Sequence, residues 1–347
     1  MKANNQMRNR RASQRGISLI ELMIGLIIGL VMTGAISLLF IDATRNHRVN
    51  ENIARMQESS RFSVDKIGRD ARGAGYFGCA GEGKEPENLL NDKSAYLYRF
   101  GTAVEAFVAP DNAWPGDLAG AFDTLKAFDE FANAPTASSL KPKPGTDILT
   151  LRGVPDGDII VRSQPSGASI KFSNTNEIKK DDILLVTSCA ASAIFQVTQV
   201  NGPKDAEKFT NVVHNTGGTF VPGNALHRPD GDLVGGEVMK ISTTTYFVAN
   251  NPLTNRPALF RRIGTGNARE IARNVDNMRI SAGVDLNEDR QIDQFVDDLS
   301  TVNWAQVRAI RVVLTLLSED TGLTDATADG RLQYTTTSTI ALRNRLP

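Results

Sequence analysis

An apolar run from Ile17 to Ile41 dominates the start of the chain, and Glu21 is its only charged residue. As a helix this run would be about 40 Å long, since each residue adds about 1.5 Å. A membrane hydrocarbon core is about 30 Å thick, so the run predicts a membrane-spanning helix. The segment before it contains no acidic residue and five basic ones, Lys2, Arg8, Arg10, Arg11 and Arg15. By the positive-inside rule this segment stays in the cytoplasm, and the chain after Ile41 is exported.

The helical pattern continues beyond the apolar run to about Arg72. Residues at steps of three and four form a mostly apolar stripe: Val49, Ile53, Met56, Ser60, Val64, Ile67 and Ala71. Such a stripe is typical of a helix that buries one face against a sheet. Gly73 and Gly75 follow, and glycines commonly end helices. The pattern therefore predicts one long helix whose second half packs against an exported domain.

From Thr146 onward the pattern changes to short runs rich in β-branched residues, separated by Pro, Gly, Asn or Asp. The predicted strands are Asp147–Leu151, Asp158–Arg162, Ser169–Phe172, Ile183–Thr187, Ile194–Val200, Val238–Val248, Ala258–Arg262, Val275–Val284, Val307–Leu317 and Thr335–Leu342. Residues 80–145 predict loops, short helices and a hairpin. The fold class that follows is α+β, with the long helix packed on an antiparallel sheet that carries β-rich additions.

These patterns divide the chain into four segments. A cytoplasmic leader covers residues 1–16, and the transmembrane half of the helix covers residues 17–41. The amphipathic half covers residues 42–75, and a β-rich periplasmic head covers residues 76–347. The head and the helix together hold about 330 residues, which suits one elongated domain or two modest ones.

An ordinary signal peptide or signal anchor is the other interpretation of the apolar run. However, the run is longer than the usual apolar region of a cleaved signal, which has about 7–15 residues, and no A-x-A-like cleavage site follows it. A carboxylate at the centre of a membrane helix costs about 2.5–3.5 kcal/mol, and less near an edge. Glu21 is therefore expected to have a partner.

The residues from Gly16 to Glu21 resemble the type IV pilin family, whose signature is a basic leader, a glycine, an apolar first mature residue and a glutamate at the fifth mature position. The resemblance implies that prepilin peptidase cleaves between Gly16 and Ile17 on the cytoplasmic side. It also implies that Ile17 becomes N-methylated. Glu21 would pair with the N-terminal amine of a neighbouring subunit, which neutralises both charges during assembly.

Three further segments resemble the PilW family, the largest of the type IV minor pilins. They are Arg69–Cys79 at the end of the helix, Leu184–Val197 in the middle of the chain and Thr339–Arg345 at its end. The resemblance implies a minor pilin of the type IV pilus that takes part in initiating pilus assembly and supports twitching motility and adhesion. It leaves a location at the pilus tip open.

The partners implied are other minor pilins, the major pilin, prepilin peptidase, the inner-membrane assembly platform and the inner membrane itself. Two alternatives stay open: a J-type minor pseudopilin of a type II secretion system, and a membrane-anchored exported binding module. The chain carries 39 basic and 39 acidic residues, so no strong basic field predicts nucleic acid binding.

Motifs of enzymes are absent from the sequence. It contains no G-x-S-x-G, H-E-x-x-H, Walker A or C-x-x-C pattern. We therefore expect a structural protein without catalytic residues. The energy for pilus extension would come from a separate cytoplasmic ATPase.

The chain contains two cysteines, Cys79 and Cys189, and both lie on the exported side of the apolar run. Disulfides persist in exported compartments, so we predict a bond between the two. Two buried free thiols are the alternative.

A calcium site is predicted at the loop from Asp285 to Asp293. Oxygen donors at alternate positions are the pattern of EF-hand-type loops, and the expected ligands are Asp285, Asn287, Asp289, Gln291 through its carbonyl, and Asp293. The segment also resembles a D-x-(D/N)-x-D-G run common in PilW relatives. Two positions differ from an EF-hand loop. Arg290 stands at the sixth position, where glycine is usual, and Val296 stands at the twelfth, where a bidentate glutamate is usual. Asp297 or Asp298 would have to take the place of that glutamate. The alternative is an acidic, solvated loop between strands.

Overall fold

The computed structural model of the chain describes residues 18–78, 85–129, 134–154, 159–165, 167–173, 175, 177–202, 209–226 and 229–345. The chain forms two compact units, Met1–Asn52 and Ile53–Pro347. The helices are α1 (Leu19–Gly73) and α2 (Leu118–Phe122). The strands are β1 (Glu87–Asn88), β2 (Val104–Val108), β3 (Lys126–Asp129), β4 (Ala134–Ser139), β5 (Asp147–Gly153), β6 (Ile159–Ser163), β7 (Ser169–Ser173), β8 (Ile183–Thr187), β9 (Ser192–Gln196), β10 (Gln199–Asn201), β11 (Phe209–Val213), β12 (Glu237–Lys240), β13 (Ser242–Asn250), β14 (Pro257–Ile263), β15 (Arg269–Arg273), β16 (Val275–Val284), β17 (Gln294–Val296), β18 (Val307–Leu317) and β19 (Gln333–Ala341).

The first unit contains the apolar part of α1, which is long and apolar enough to cross a membrane. Its large apolar side chains are exposed. Two of its hydroxyl groups donate hydrogen bonds within the helix, Thr33 Oγ1 to the Gly29 carbonyl and Ser37 Oγ to the Thr33 carbonyl, each over 2.8 Å. Such bonds satisfy polar groups where no water is present. This part of the helix fits a single-pass membrane anchor.

The second unit contains the sheets. A four-stranded sheet has the order β17-β16-β18-β19, a five-stranded sheet the order β15-β14-β13-β5-β2, and an eight-stranded sheet the order β1-β9-β8-β12-β6-β7-β11-β10. The strands β3 and β4 form a separate hairpin. All paired strands of the described residues are antiparallel except β1 and β9. The predicted α+β class, with a long helix and antiparallel sheets, is confirmed.

The amphipathic stripe of α1 shares one core with the four- and five-stranded sheets. From the helix, Met56, Ile67 and Ala71 are buried in this core. Ile310 and Val312 are among the strand residues that meet them. Burial of a side chain such as that of Ile67 contributes about 1.5–3 kcal/mol. The stripe therefore holds this part of the helix to the sheets, as the sequence predicts.

The eight-stranded sheet has a core of its own, which includes Phe172, Leu184 and Phe195. A third core lies under the other face of the five-stranded sheet, where Phe122 of α2 meets Phe247 and Phe260. These two layers correspond to the β-rich additions expected from the sequence.

Two predicted strands are each divided in the structure. Ile194–Val200 forms the end of β9 and the start of β10, and Val238–Val248 forms parts of β12 and β13. β12 pairs with β8 in the eight-stranded sheet, whereas β13 pairs with β5 in the five-stranded sheet. Ile241, between them, is buried, so the alternation of buried positions continues across a point where the chain changes sheets.

Candidate functional site

The start of α1 carries Glu21 in its first turn, and this residue is exposed. A carboxylate is favourable there because the first backbone N–H groups of a helix carry partial positive charge. Gly16 and Ile17, the predicted cleavage site, lie outside the described residues. Cleavage and methylation therefore stay predictions. The role of Glu21 in assembly stays a prediction as well.

The end of α1 is held to the five-stranded sheet through Asp70. The Tyr246 hydroxyl donates to Asp70 Oδ2 over 2.8 Å, and Arg261 Nε donates to the same oxygen over 2.8 Å. Burial raises the pKa of the Tyr246 hydroxyl well above its usual range, and the Asp70 carboxylate raises it further. The hydroxyl therefore stays protonated and donates. These bonds join the helix to β13 and β14.

The C-terminal segment also contacts the end of α1. Asn344 Nδ2 donates to the carbonyls of Arg72 and Ala74, each over 3.1 Å. These bonds satisfy carbonyl groups that a helix end leaves without an internal partner. Gly153 of β5 approaches Gly73 so closely that a Cβ there would overlap the Gly73 carbonyl. Two segments that resemble PilW, at the helix end and at the C-terminus, are thus in direct contact.

A buried ion pair stabilises the region beside the helix end. Arg152 of β5 is fully buried, and its Nη2 donates to Glu105 Oε1 of β2 over 2.5 Å. The same guanidinium donates to the carbonyls of Tyr96 and Thr102. Burial lowers the pKa of Arg152, and the carboxylate of Glu105 counteracts this. Neither Glu105 nor Arg152 was among the site residues predicted from the sequence.

The comparisons with known proteins bear on both ends of the chain. Residues 11–37 match the family described as Prokaryotic N-terminal methylation motif. Residues 245–344 match the family described as Type IV Pilus-assembly protein W, or PilW. The resemblance to the PilW family is confirmed. No curated protein and no solved structure matches the chain.

The match to PilW, called here the PilW region, covers residues 245–344. It runs from within β13 to the turn Arg343–Arg345, so it supplies all four strands of the four-stranded sheet and the Asn344 contact. The two matches together are consistent with a prepilin-like pilin of the PilW family. Matches to pilin families imply a structural protein.

The mid-chain segment that resembles PilW carries one of the two predicted disulfide cysteines. Cys189 follows β8 and is not a free cysteine, whereas Cys79 lies outside the described residues. Gly78, just before Cys79, is so close to Thr187 that a Cβ at Gly78 would overlap the threonine side chain. The pairing stays a prediction, and the two chain segments that would carry it are in contact.

The predicted calcium loop lies between β16 and β17 in the PilW region. Three side-chain oxygens of the loop accept hydrogen bonds from backbone N–H groups within it. Asn287 Oδ1 accepts a hydrogen bond from the Asp289 N–H, and Asp289 Oδ1 accepts one from the Gln291 N–H. Asp293 Oδ2 accepts one from the Leu286 N–H. Arg290 has a φ of 66°, the left-handed conformation for which glycine is usual. The loop therefore makes a sharp turn at its sixth position although no glycine is present.

Asp285, the first residue of this loop, is fully buried. Its Oδ2 accepts from Arg308 Nε over 3.0 Å and from the Arg290 N–H over 2.9 Å. Burial raises its pKa, but these hydrogen bonds and the charge of Arg308 outweigh the effect and hold the pKa below its usual value. Its Oδ1 is buried and has no hydrogen-bond partner among the described residues.

Other observations bear on the expected ligand set. Asp298, one of the two candidates for the twelfth position, accepts from the N–H and the hydroxyl of Ser300 and caps a short 3-10 turn. Among the described residues no group of three or more His, Cys, Asp or Glu side chains is arranged to hold a metal. Any calcium site here would depend on amide and backbone oxygens as well as carboxylates.

Proposed function

We propose that this protein is a minor pilin of the type IV pilus that takes part in initiating pilus assembly. The observation that carries the proposal is that α1 and the PilW region form one core. Met56, Ile67 and Ala71 of the helix are buried with residues of β16 and β18. The same helix begins within the match to the N-terminal methylation motif.

In this proposal prepilin peptidase removes residues 1–16, and Ile17 becomes the methylated N-terminus. The protein sits in the inner membrane with its N-terminus in the cytoplasm and its head in the periplasm. Glu21 pairs with the amine of a neighbouring subunit. The partners are the major pilin, other minor pilins and the inner-membrane assembly platform. Incorporation at the pilus tip, twitching motility and adhesion belong to the same proposal.

A clean deletion of the coding sequence tests this function. We expect fewer surface pili and reduced surface motility while the major pilin remains expressed, because a minor pilin acts in assembly. Complementation with the full chain should restore both. Normal piliation together with a secretion defect would favour the J-type pseudopilin, and normal piliation and secretion would favour the anchored binding module.

A disulfide between Cys79 and Cys189 is part of the proposal. It would close a loop of about 110 residues. For a loop of this length, the loss of chain entropy in the unfolded state stabilises the folded protein by at most about 5 kcal/mol. It would join the end of the long helix to β8. We expect no alkylatable thiol in protein unfolded without reductant, and two after reduction. Two reactive thiols before reduction would exclude the bond.

We also propose that the loop from Asp285 to Asp293 binds calcium in a structural role. The support is the buried Oδ1 of Asp285, which has no hydrogen-bond partner among the described residues. Asn287, Asp289 and Gln291 follow it in the sequence at the alternate spacing of EF-hand-type ligands. The hydrogen bond from Arg308 goes to the other carboxylate oxygen of Asp285, Oδ2. Many flexible oxygen ligands favour calcium over magnesium, with affinity in the range of exported modules.

Thermal unfolding of the metal-free full chain tests this site. Calcium at about 1 mM or more, the range in which exported modules bind, should raise the melting temperature, and the same magnesium concentration should raise it less. Asp285→Ala combined with Asp289→Ala should abolish the rise, whereas Asp111→Ala, an exposed aspartate in another loop, should keep it. An unchanged melting temperature of the wild type would contradict the proposal.

A further inference from the structure

The strand β19 forms one edge of the four-stranded sheet and pairs, within the described residues, only with β18. It is nine residues long. The other edge strands of the three larger sheets, β1, β2, β10, β15 and β17, have two to five residues. Short edge strands are one way in which proteins prevent unwanted pairing with other chains. The strand β19 is too long for this kind of protection.

The hydrogen bonds to β18 determine which backbone groups of β19 face outward. Next to the strand ends, the Ser318 N–H donates to the Leu332 carbonyl and the Leu342 N–H donates to the Arg308 carbonyl. Facing residues in antiparallel strands alternate between bonded and non-bonded pairs. The even-numbered residues of β19 therefore bond to β18. The outward N–H and carbonyl groups belong to Gln333, Thr335, Thr337, Thr339 and Ala341.

The side chains of this edge do not protect it either. From Gln333 to Ala341 the sequence contains no charged residue, no proline and no glycine. The register with β18 shows no bulge over the whole strand. Charges, prolines and bulges are the usual devices that block an edge. The edge is therefore straight, uncharged and long enough for another strand to bind.

We propose that this edge binds an extended, uncharged strand from the head of a second pilin, which continues the four-stranded sheet. The inference rests on the proposed function, because assembly brings pilin heads side by side. Main-chain hydrogen bonds would supply most of the affinity, as in other strand additions. The threonine side chains beside the edge are suited to small or β-branched cross-strand partners.

A second copy of this chain does not fit this edge in a membrane. Antiparallel pairing of two identical edges places a two-fold axis perpendicular to the sheet. The segment of α1 from Ile53 to Gly73 lies on this sheet, so the axis would reverse its direction in one copy. Both copies would enter the same membrane through the same N-terminal segment. This symmetric pairing is therefore unsuited to a membrane-anchored chain, and we assign the edge to a strand of a different pilin.

Photo-crosslinking in cells that produce the full chain tests the inference. A photoreactive residue at Thr335, next to the edge, should give an adduct with a second chain that has a processed, methylated N-terminus. The crosslinked residue of that chain should lie in an uncharged, extended segment. The same residue placed at Leu253, an exposed position in the loop between β13 and β14, should not give this adduct.

Two backbone variants make the test specific. Thr337→Pro removes an outward N–H group and keeps the bonds to β18, so it should reduce the adduct by about tenfold, the effect of about 1.4 kcal/mol. Thr337→Ala should leave the adduct unchanged. Ser338→Pro removes an N–H group that bonds to β18, so it should lower the melting temperature much more than Thr337→Pro. That difference verifies the assignment of the outward groups.

Three results would overturn the inference. The first is no adduct from the photoreactive residue at Thr335, and the second is an adduct with a second copy of this chain. The third is an equal yield of adduct from the Thr337→Pro and Thr337→Ala variants. Processing of the N-terminus is measured in the same cells. If the chain is processed and required for piliation but gives no adduct, only the edge inference fails. If the chain is unprocessed, the proposed function fails.

Discussion

Replacing Glu21 with alanine is expected to leave the protein in the membrane but to prevent its function in pilus assembly. Glu21 lies in the first turn of α1 and is exposed. Removal of a carboxylate makes insertion of the helix into a membrane easier, by up to about 2.5–3.5 kcal/mol at the centre of the membrane. Insertion should therefore be preserved, while the amine of the neighbouring subunit loses the charge that neutralises it.

Membrane fractionation and counts of surface pili in a complemented deletion strain measure the two effects separately. We expect wild-type amounts of Glu21→Ala in the membrane and piliation close to that of the deletion. Ser37→Ala, which removes a hydroxyl satisfied within the helix, is the matched control and should restore piliation. Full piliation with Glu21→Ala would show that the residue is not an assembly partner and would favour a simple membrane anchor.

Replacing Glu105 with alanine is expected to cause the largest loss of stability in the head. The fully buried Arg152 would keep its bonds to the carbonyls of Tyr96 and Thr102 but would lose the carboxylate that neutralises it. Breaking a buried ion pair by removing one partner costs about 3–5 kcal/mol. Most of this cost comes from the buried charge that remains.

Chemical unfolding of the full chain in detergent measures the change in the free energy of unfolding. Glu105→Leu with Arg152→Met should recover part of the loss, since apolar residues of similar volume can replace a buried ion pair. The carbonyls of Tyr96 and Thr102 would lose their donor, so recovery should be incomplete. Asp65→Ala, which removes the exposed Asp65–Arg69 pair, is the control and should cost about 0–1 kcal/mol. A loss for Glu105→Ala no larger than this control would show that the pair contributes little to stability.

The long helix and the C-terminal strands could be predicted from the sequence because their patterns are local. The stripe from Ile53 to Ala71 repeats at the helical period, and its buried members meet the sheet. The predicted strands Val275–Val284 and Val307–Leu317 coincide with β16 and β18. Long elements with one buried face leave a periodic signal that needs no knowledge of their partners.

The change of sheet near Ile241 could not be predicted in the same way. Met239, Ile241 and Thr243 are all buried, so the pattern of buried positions continues without a break while the chain passes from β12 to β13. Periodicity reports burial and not the identity of the neighbouring strand. The strand β2 was not predicted as a separate strand because it has only five residues and shows no alternation, since the charged Glu105 is buried among its apolar neighbours.

The buried pair of Glu105 and Arg152 could not be predicted from the sequence pattern. Arg152 shares one face of β5 with Ile148 and Thr150, but Leu149 and Leu151 on the other face are buried as well, so the alternation does not distinguish an inward face from an outward one. A buried charge requires a partner, but the burial of Arg152 is known only from the structure. The identity of that partner depends on the register between β2 and β5, which the sequence does not reveal.

The mass of the mature N-terminus tests the central claim most directly. The match to the N-terminal methylation motif spans residues 11–37, which include Gly16 and Ile17. Mass spectrometry of protein purified from the membrane should detect an N-terminal peptide that begins at N-methylated Ile17 and contains Glu21. A chain that retains Met1, or one cleaved at another residue, would contradict the assignment to the pilins.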